Sequence, residues 1–330
     1  MSMFNDYQYE ASKTFKPTKQ LMPEQVRLLD WATGLGGESG EVLDIVKHGI
    51  FHGEEFNKME LAKELGDVLW YVSAIATTCD IDLGDVAALN RAKLNHRYIS
   101  GKYSESESAN RHKQENAFED TAIYKCLKAR ICNTEEIPFS IIVVGPDGSG
   151  KTTFTQALAK KLNMQRIKCD YRQEDKLTQA KMYLFMEANT IYDRFYYPDE
   201  LIYSEVKNIP LDEEYKHDMH DLIALLIAAN VIVIYLDANL SALKERSAVW
   251  ADDYVRVDQL EHIKKAYSRY LGEIAAAGVP IIELDTSTIP LGSAEWEAFL
   301  DKTARDLKSR AKFFARAEIS GREKANEKGN

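Results

Sequence analysis

Of the stretches in this 330-residue chain whose residue types could do chemistry, Ser140–Phe154, SIIVVGPDGSGKTTF, is the most specific. Gly145-Pro146-Asp147-Gly148-Ser149-Gly150-Lys151-Thr152 satisfies G-x-x-x-x-G-K-[ST], with Thr153 following. Four β-formers, Ile141 to Val144, precede it and an apolar-periodic segment follows, so a strand, a loop and a helix stand in the order that phosphate binding needs. Glycines at 145, 148 and 150 let backbone N–H groups turn inward around a β-phosphate, and the following helix offers the same anion its positive end. Lys151 would reach the β- and γ-phosphates of ATP, and the Thr152 hydroxyl would hold Mg²⁺.

A second group is acidic. Glu38 and Glu41 are three apart in one helical stretch, and Glu64 and Asp67 are three apart in the next. Residues at i and i+3 share a helical face, so two such helices side by side would gather four carboxylates. That cluster repels itself and resists desolvation unless divalent cations occupy it, and hard oxygen ligands suit Mg²⁺ or Mn²⁺. A solvated surface is the competing reading, because E-x-x-E taken alone is common on exposed helices.

The strings GLGGESGEVLDIVKHGIF and ELAKELGDVLWYVSAIA, with Asn90-Arg-Ala-Lys93-Leu-Asn-His-Arg97-Tyr98, resemble the MazG-like all-α NTP pyrophosphohydrolases over about residues 5 to 100. The resemblance implies that Glu38, Glu41, Glu64 and Asp67 bind Mg²⁺, which activates water to attack the α-phosphorus of a nucleoside triphosphate and release pyrophosphate. Glu41 and Glu64 would then be catalytic, and Lys47, Asn90, Lys93 and Arg97 would hold phosphates or sugar. Asp44 reads equally as an outer acid of that site or a surface residue.

A third group follows the strand-like runs of the second half. Asp170 and Arg172 follow one, Asp193-Arg194 ends another, and Arg246 opens a charged segment after a third. Together with the loop G-x-D-G-x-G-K and the closing Leu284-Asp285-Thr286-Ser287, these resemble the thymidylate kinase-like group of P-loop kinases from about 139 to 290. The resemblance implies transfer of the γ-phosphoryl of ATP to a deoxynucleoside monophosphate. Asp193 would orient the acceptor or a Mg²⁺-bound water, and Arg194 would grip the acceptor phosphate. Arg246, and Arg256 beyond Trp250–Tyr254, would form a short lid. An arginine-glutamate-proline-glycine segment is missing after the second strand, where the chain reads Asp170-Tyr-Arg172-Gln-Glu-Asp.

These groups need two kinds of frame. Before residue 139 the periodicity predicts only helices: one from Pro23 with a Gly-rich interruption at 34–37, one over about 58–78, and one over about 83–97. After it, β-type runs at 141–145, 165–169, 190–193, 231–237 and 280–285 alternate with helices. The expected molecule is therefore multidomain: an all-α bundle at 1–100, a polar linker and connecting helix at 101–138, and an α/β three-layer P-loop kinase domain at 139–310. The latter has a parallel five-stranded sheet, and a helix end and tail occupy 311–330. Ligands should sit at the carboxyl ends of the strands.

With 45% hydrophobic residues the chain can fill two cores. A formal charge of −10 argues against stable nucleic-acid binding or adhesion to anionic membranes, while small anions held with Mg²⁺ remain compatible. Four cysteines without C-x-x-C pairing, no apolar span of about 18 residues and no leader-like start fit a reducing cytoplasm, that of a host cell if the protein is viral. Trp31, Trp70 and Tyr71 give the small bundle more apolar surface than three helices cover, so a homo-oligomer through the N-terminal half is expected. Two other classes of function compete with a two-activity enzyme. One is an ATP-binding regulatory protein whose P-loop half controls the metal site. The other is a kinase acting on a modified nucleotide or a polynucleotide.

Overall fold

The computed structural model describes residues 3–52, 57–134, 137–172, 174–250, 256–290 and 292–308. It divides into two compact units, the first ending at Ala87 and the second beginning at Ala88.

The first unit is helical: α1 (Met3–Ser12), α2 (Pro17–Gln20), α3 (Glu24–Lys47) with a π-helical turn at His48–His52, α4 (Lys58–Thr78), and the start of α5 (Leu83–Arg97). Asn57 opens α4 by accepting from the N–H groups of Met59 and Glu60 at 3.0 and 3.2 Å. The Gly-rich stretch does not interrupt α3. Its glycines are helical, and a Cβ on Gly34 would lie 2.1 Å from Cε1 of Tyr71, so glycine is there to let α3 and α4 approach. Phe15, Trp31, Trp70 and Tyr71 pack edge-on and tilted around that crossing, and Trp31 donates to Thr78 Oγ1 at 3.1 Å. Gln8 of α1 spans the far end, donating to Thr77 Oγ1 and Ile81 O and accepting from Leu83 N.

The second unit begins inside α5. Ala92 is fully buried in a core with Phe118, Ile123 and Phe185. Residues 100–117, expected as an exposed polar linker, carry α6 (Glu105–Ala109) and most of α7 (Arg111–Glu119), and Phe118 is buried just beyond them. The connecting helix is α8 (Ala122–Ile131).

Then come β1 (Ser140–Val144), α9 (Lys151–Leu162), β2 (Gln165–Lys168), α10 (Lys176–Met186), β3 (Thr190–Asp193), α11 (Tyr196–Val206) and α12 (Glu213–Ala228). They are followed by β4 (Val231–Asp237), α13 (Leu240–Trp250), α14 (Leu260–Ala276) and β5 (Ile281–Asp285). The five strands are parallel in the order β2-β3-β1-β4-β5. Alternate residues feed two cores: Ile142, Val144, Tyr192 and Val233 face one helical layer, while Ile141, Val143, Ile191 and Ile234 face Phe154, Leu158, Trp296 and Leu300 on the other. That is the expected three-layer sheet. No helix among the described residues is long and apolar enough to cross a membrane. The four cysteines are free.

Candidate active sites

In the first unit, the facing stretches of α3 and α4 bring ligand atoms of Glu38, Glu41 and Glu64 within 4.8 Å of one another. Asp67, one turn further along α4, is exposed and lies outside this set. It is still close enough to act. Desolvation first, then the charges of Glu41 and Asp67, raise the Glu38 carboxyl above its ordinary range, and the same influences with Glu38 raise Glu64. The carboxylates thus repel one another as they stand, which is the condition a divalent cation relieves, so the donor set fits Mg²⁺. Gly36, Gly37, Gly40 and Gly66 flank the acids, and a Cβ at any of them would meet nothing within 4 Å, which leaves the site open. Lys47 bonds Asp44 at 3.1 Å, with His48 3.5 Å from the same carboxylate. Lys47 therefore reaches an acid of its own helix.

Of the remaining residues expected to hold substrate, Asn90, Lys93 and Arg97 belong to the second unit. Asn90 is exposed, whereas Arg97 is largely buried and donates to Glu115 of α7 at 3.0 Å. Arg111 first, then Arg97 and Lys93, help to hold Glu115 below its usual value.

The P-loop occupies the carboxyl edge of the sheet. Gly145 has φ +149°, and a Cβ there would lie 2.1 Å from the carbonyl oxygen of Leu236, so only glycine lets the loop pass the end of β4. Gly148 and Gly150 take φ +82° and +88°, turning the chain into α9. Ser149 Oγ is buried without a hydrogen-bond partner among the described residues, and Lys151 Nζ rests on the Pro146 carbonyl at 2.6 Å. Burial first, then the neighbouring Arg194, push Lys151 down to about 7 against the opposing pull of Asp147, Asp199 and Asp193. A buried donor without a partner and a desolvated lysine are what a phosphate chain would satisfy. Thr152 and Thr153 face solvent, and Thr152 Oγ1 donates to Asp193 Oδ2 at 2.9 Å. Asp193, at the end of β3, is buried beside the loop, and Thr152 and Asp193 fit a Mg²⁺ accompanying the nucleotide.

Arg194 is not a free phosphate grip. Its φ is +67°, its N–H bonds the Val143 carbonyl at 3.0 Å, and its guanidinium pairs with Asp147 of the loop, with Asp199 at 3.2 Å and with the Tyr203 hydroxyl at 3.0 Å. Tyr203 donates onward to Asp147, and Tyr267 of α14 donates to Asp199 at 2.7 Å. Burial alone would raise Asp147, but Arg194 and Lys151 bring it below the usual carboxylate range. Asp199 is raised, by burial that Arg194 and Tyr267 only partly offset. Beside this network a small, partly open cleft of about 30 Å³ is lined by Cys169, Tyr171, Arg194, Tyr196, Asp199 and Glu200.

Asp170 and Arg172 are exposed at the end of β2, where the Asp170 carboxylate accepts from the Arg172 N–H in a local turn and its carbonyl accepts from Tyr196. Neither is among the residues lining the cleft. Arg246 is tied down: it donates to the carbonyls of Gly148 and Thr286 at 3.3 and 2.7 Å, so it braces the P-loop against the end of β5. Arg256 pairs with Asp258, and residues 251–255, the rest of the expected lid, lie outside the described set, as does the expected C-terminal helix from Ala311. Asp199, Tyr203, Tyr267 and Arg166 carry no motif spacing. Only the alternation of buried positions near Asp193-Arg194 could have hinted at the first two.

Residues 29–100 match the MazG nucleotide pyrophosphohydrolase domain, and residues 141–257 match a family described as RNA helicase. The Gene 37 protein of Mycobacterium phage L5 is 40% identical over 74 residues, 21% of this chain and 63% of its own length. The SPbeta prophage-derived protein YorR of Bacillus subtilis is 28% identical over 173 residues, 51% of this chain and 95% of its own. Among solved structures, YorR in complex with phosphorylated GDP is 26% identical, covers 53% of this chain and 96% of its own, and superposes with a TM-score of 0.40. Deoxyadenosine kinase from M. mycoides with bound dCTP is 17% identical over 50% of this chain and 98% of its own, with a TM-score of 0.38. The chain thus pairs an N-terminal segment that matches the MazG domain with a C-terminal half that carries a P-loop in a five-stranded parallel sheet, and its relatives include phage and prophage proteins.

Proposed function

We propose that the chain carries two activities: hydrolysis of a nucleoside triphosphate to monophosphate and pyrophosphate at the acidic site, and phosphoryl transfer from ATP at the P-loop site. The observation that carries the first is the convergence of Glu38, Glu41 and Glu64 inside the segment that matches the MazG domain. When bound, Mg²⁺ would supply Lewis acidity and a more acidic bound water at the first site, and charge neutralisation on the phosphates at the second. In the first site the carboxylates would hold the cation and orient the water. Glu41, the most exposed of the three, would also take a proton. In the second, Lys151 and the loop N–H groups would bind the phosphates, and Thr152 with Asp193 would hold the cation.

The acceptor side of the P-loop site differs from the deoxynucleoside monophosphate grip expected from the sequence. A cleft that holds Asp199 and Glu200, and whose arginine is already paired with two carboxylates, favours an uncharged hydroxyl over a phosphate dianion. A nucleoside is therefore the acceptor the geometry supports best. Asp199, whose carboxyl is raised, is better placed than Asp147 to take the hydroxyl proton. A deoxynucleoside monophosphate, gripped by Arg194 after release from Asp199, is the second reading. The relatives named for a deoxynucleoside kinase and for a nucleotide complex are compatible with either. A helicase reading would require a nucleic-acid track, which a net charge of −10 disfavours. The test is to incubate the full chain with MgATP and a panel of nucleosides, monophosphates and triphosphates, resolving products by chromatography. Diphosphates formed only from monophosphates would reject the nucleoside reading, and absence of pyrophosphate from every triphosphate would reject the first activity.

A further inference from the structure

Arg166 has no role in either proposed activity, yet it is bonded to the helix that follows the P-loop and to Asp193 beside it. It stands on β2, the edge strand beside β3, and its guanidinium points two ways. Nε donates to Thr155 Oγ1 at 2.9 Å, and Nη2 pairs with Asp193 Oδ2. Thr155 in turn donates to the Thr152 carbonyl at 3.0 Å, and Thr152 Oγ1 donates at 2.9 Å to the same Asp193 oxygen that Arg166 holds. The result is a closed ring through Arg166, Asp193, Thr152 and Thr155. The Asp193 side chain is only 2% exposed and that of Arg166 22%, so the pair sits where geometry is held by packing.

The ring matters because a hydroxyl has one proton. While Thr152 donates it to Asp193, both oxygen lone pairs turn away from the carboxylate, and the hydroxyl faces outward as a pure acceptor, the state in which it can ligate a cation. A carboxylate free to rotate would release that proton direction. We propose that Arg166 is a positioning residue for the cation that accompanies ATP, acting through Asp193 to hold the Thr152 hydroxyl as a metal ligand. The proposal rests on the ATP-binding reading of the P-loop. A guanidinium serves both Thr155 and Asp193 at once, which a lysine ammonium on a single stem cannot do with the same geometry.

The test is thermal unfolding of the full chain with ATP in EDTA and with ATP over a Mg²⁺ titration. In the wild type, Mg²⁺ adds to the stabilisation by ATP, with a measurable midpoint. Arg166→Met should raise that midpoint by about tenfold or more, while stabilisation by ATP in EDTA, which depends on Lys151 and loop N–H groups, stays as in the wild type. Arg166→Lys should recover part of the loss. Thr155→Val, which keeps the ion pair and removes the Nε contact together with the hydrogen bond to the Thr152 carbonyl, should move the midpoint less. An unmoved midpoint in Arg166→Met, or equal losses with and without Mg²⁺, overturns the proposal. If that variant does not fold, unmoved midpoints in both Arg166→Lys and Thr155→Val overturn it instead. Absence of any Mg²⁺ increment in the wild type would defeat the P-loop reading itself, whereas a wild-type increment with unmoved variants defeats only the role of Arg166.

Discussion

Lys151 shows how far a single residue departs from its free-solution chemistry. Its amine is held near neutrality at about pH 7 by burial and by Arg194. Above that pH it is mostly uncharged in the free protein, and a bound triphosphate favours the charged form, so nucleotide binding should take up a proton. Affinity should accordingly fall as pH rises from 7 towards the ordinary lysine range. Calorimetry of ATP binding at pH 8 in buffers of different ionisation enthalpy checks this: a binding heat independent of buffer would contradict it. Lys151→Ala should cut phosphoryl transfer by on the order of a hundredfold or more and leave pyrophosphate release intact. Glu41→Gln should do the reverse, lowering Mg²⁺-dependent pyrophosphate release at least about tenfold. It should also relieve the repulsion that raises Glu38 and Glu64, which metal-free unfolding would register as no loss of stability.

At the scale of an element, α3 carries the clearest contrast. Its glycines look equivalent in sequence, but a Cβ at Gly34 would lie 2.1 Å from Tyr71, while one at Gly36 would meet nothing within 4 Å. Gly34→Ala should therefore destabilise the protein by about 1–3 kcal/mol through forced repacking of the α3–α4 crossing. Gly36→Ala should stabilise it by up to about 1 kcal/mol, because helical glycine carries an entropic cost that alanine does not. Urea unfolding of the two variants side by side measures both signs, and equal effects would mean that the crossing is not the constraint.

For the whole molecule, α5 is the element to watch, since it runs unbroken past Ala87, and its later residues belong to the C-terminal unit. Ala92 is buried there, Arg97 is bonded to Glu115, and the Ile99 carbonyl accepts from the buried Lys181 at 3.2 Å. A fragment of residues 1–100 should consequently lose helix over 88–97, seen as fast amide exchange that the full chain does not show. On the first unit, Val26, Leu29, Leu43, Met59 and Leu65 are exposed on α3 and α4. We expect a second copy to cover them, giving an oligomer in light scattering at micromolar concentration that Leu29→Glu weakens; a monomeric wild-type mass would reject this. If both activities are present, their preferred bases should differ, because a kinase restoring what the hydrolase removes would only consume ATP.

The local patterns were enough to place β1 to β5 within about a residue and to set α4 at Lys58–Thr78, because buried β-runs and capped amphipathic helices are written in neighbouring residues. The P-loop and the acid pairs were legible for the same reason: each is a short-range spacing with its own chemistry. What only tertiary structure decided is who meets whom. Gly34 could be read as a helix breaker until Tyr71 came across from α4 to need the space, and residues 100–117 as an unstructured linker although α6 and α7 form there. Arg194 could be read as free for a phosphate until Asp147 and Asp199, 47 residues before it and five after it, were found to claim it from the loop and from α11. Arg166 is a further case: no spacing on β2 announces that its partner is Asp193 on the neighbouring strand. Charge pairing across a sheet depends on strand order and register, and those are settled by packing the whole domain.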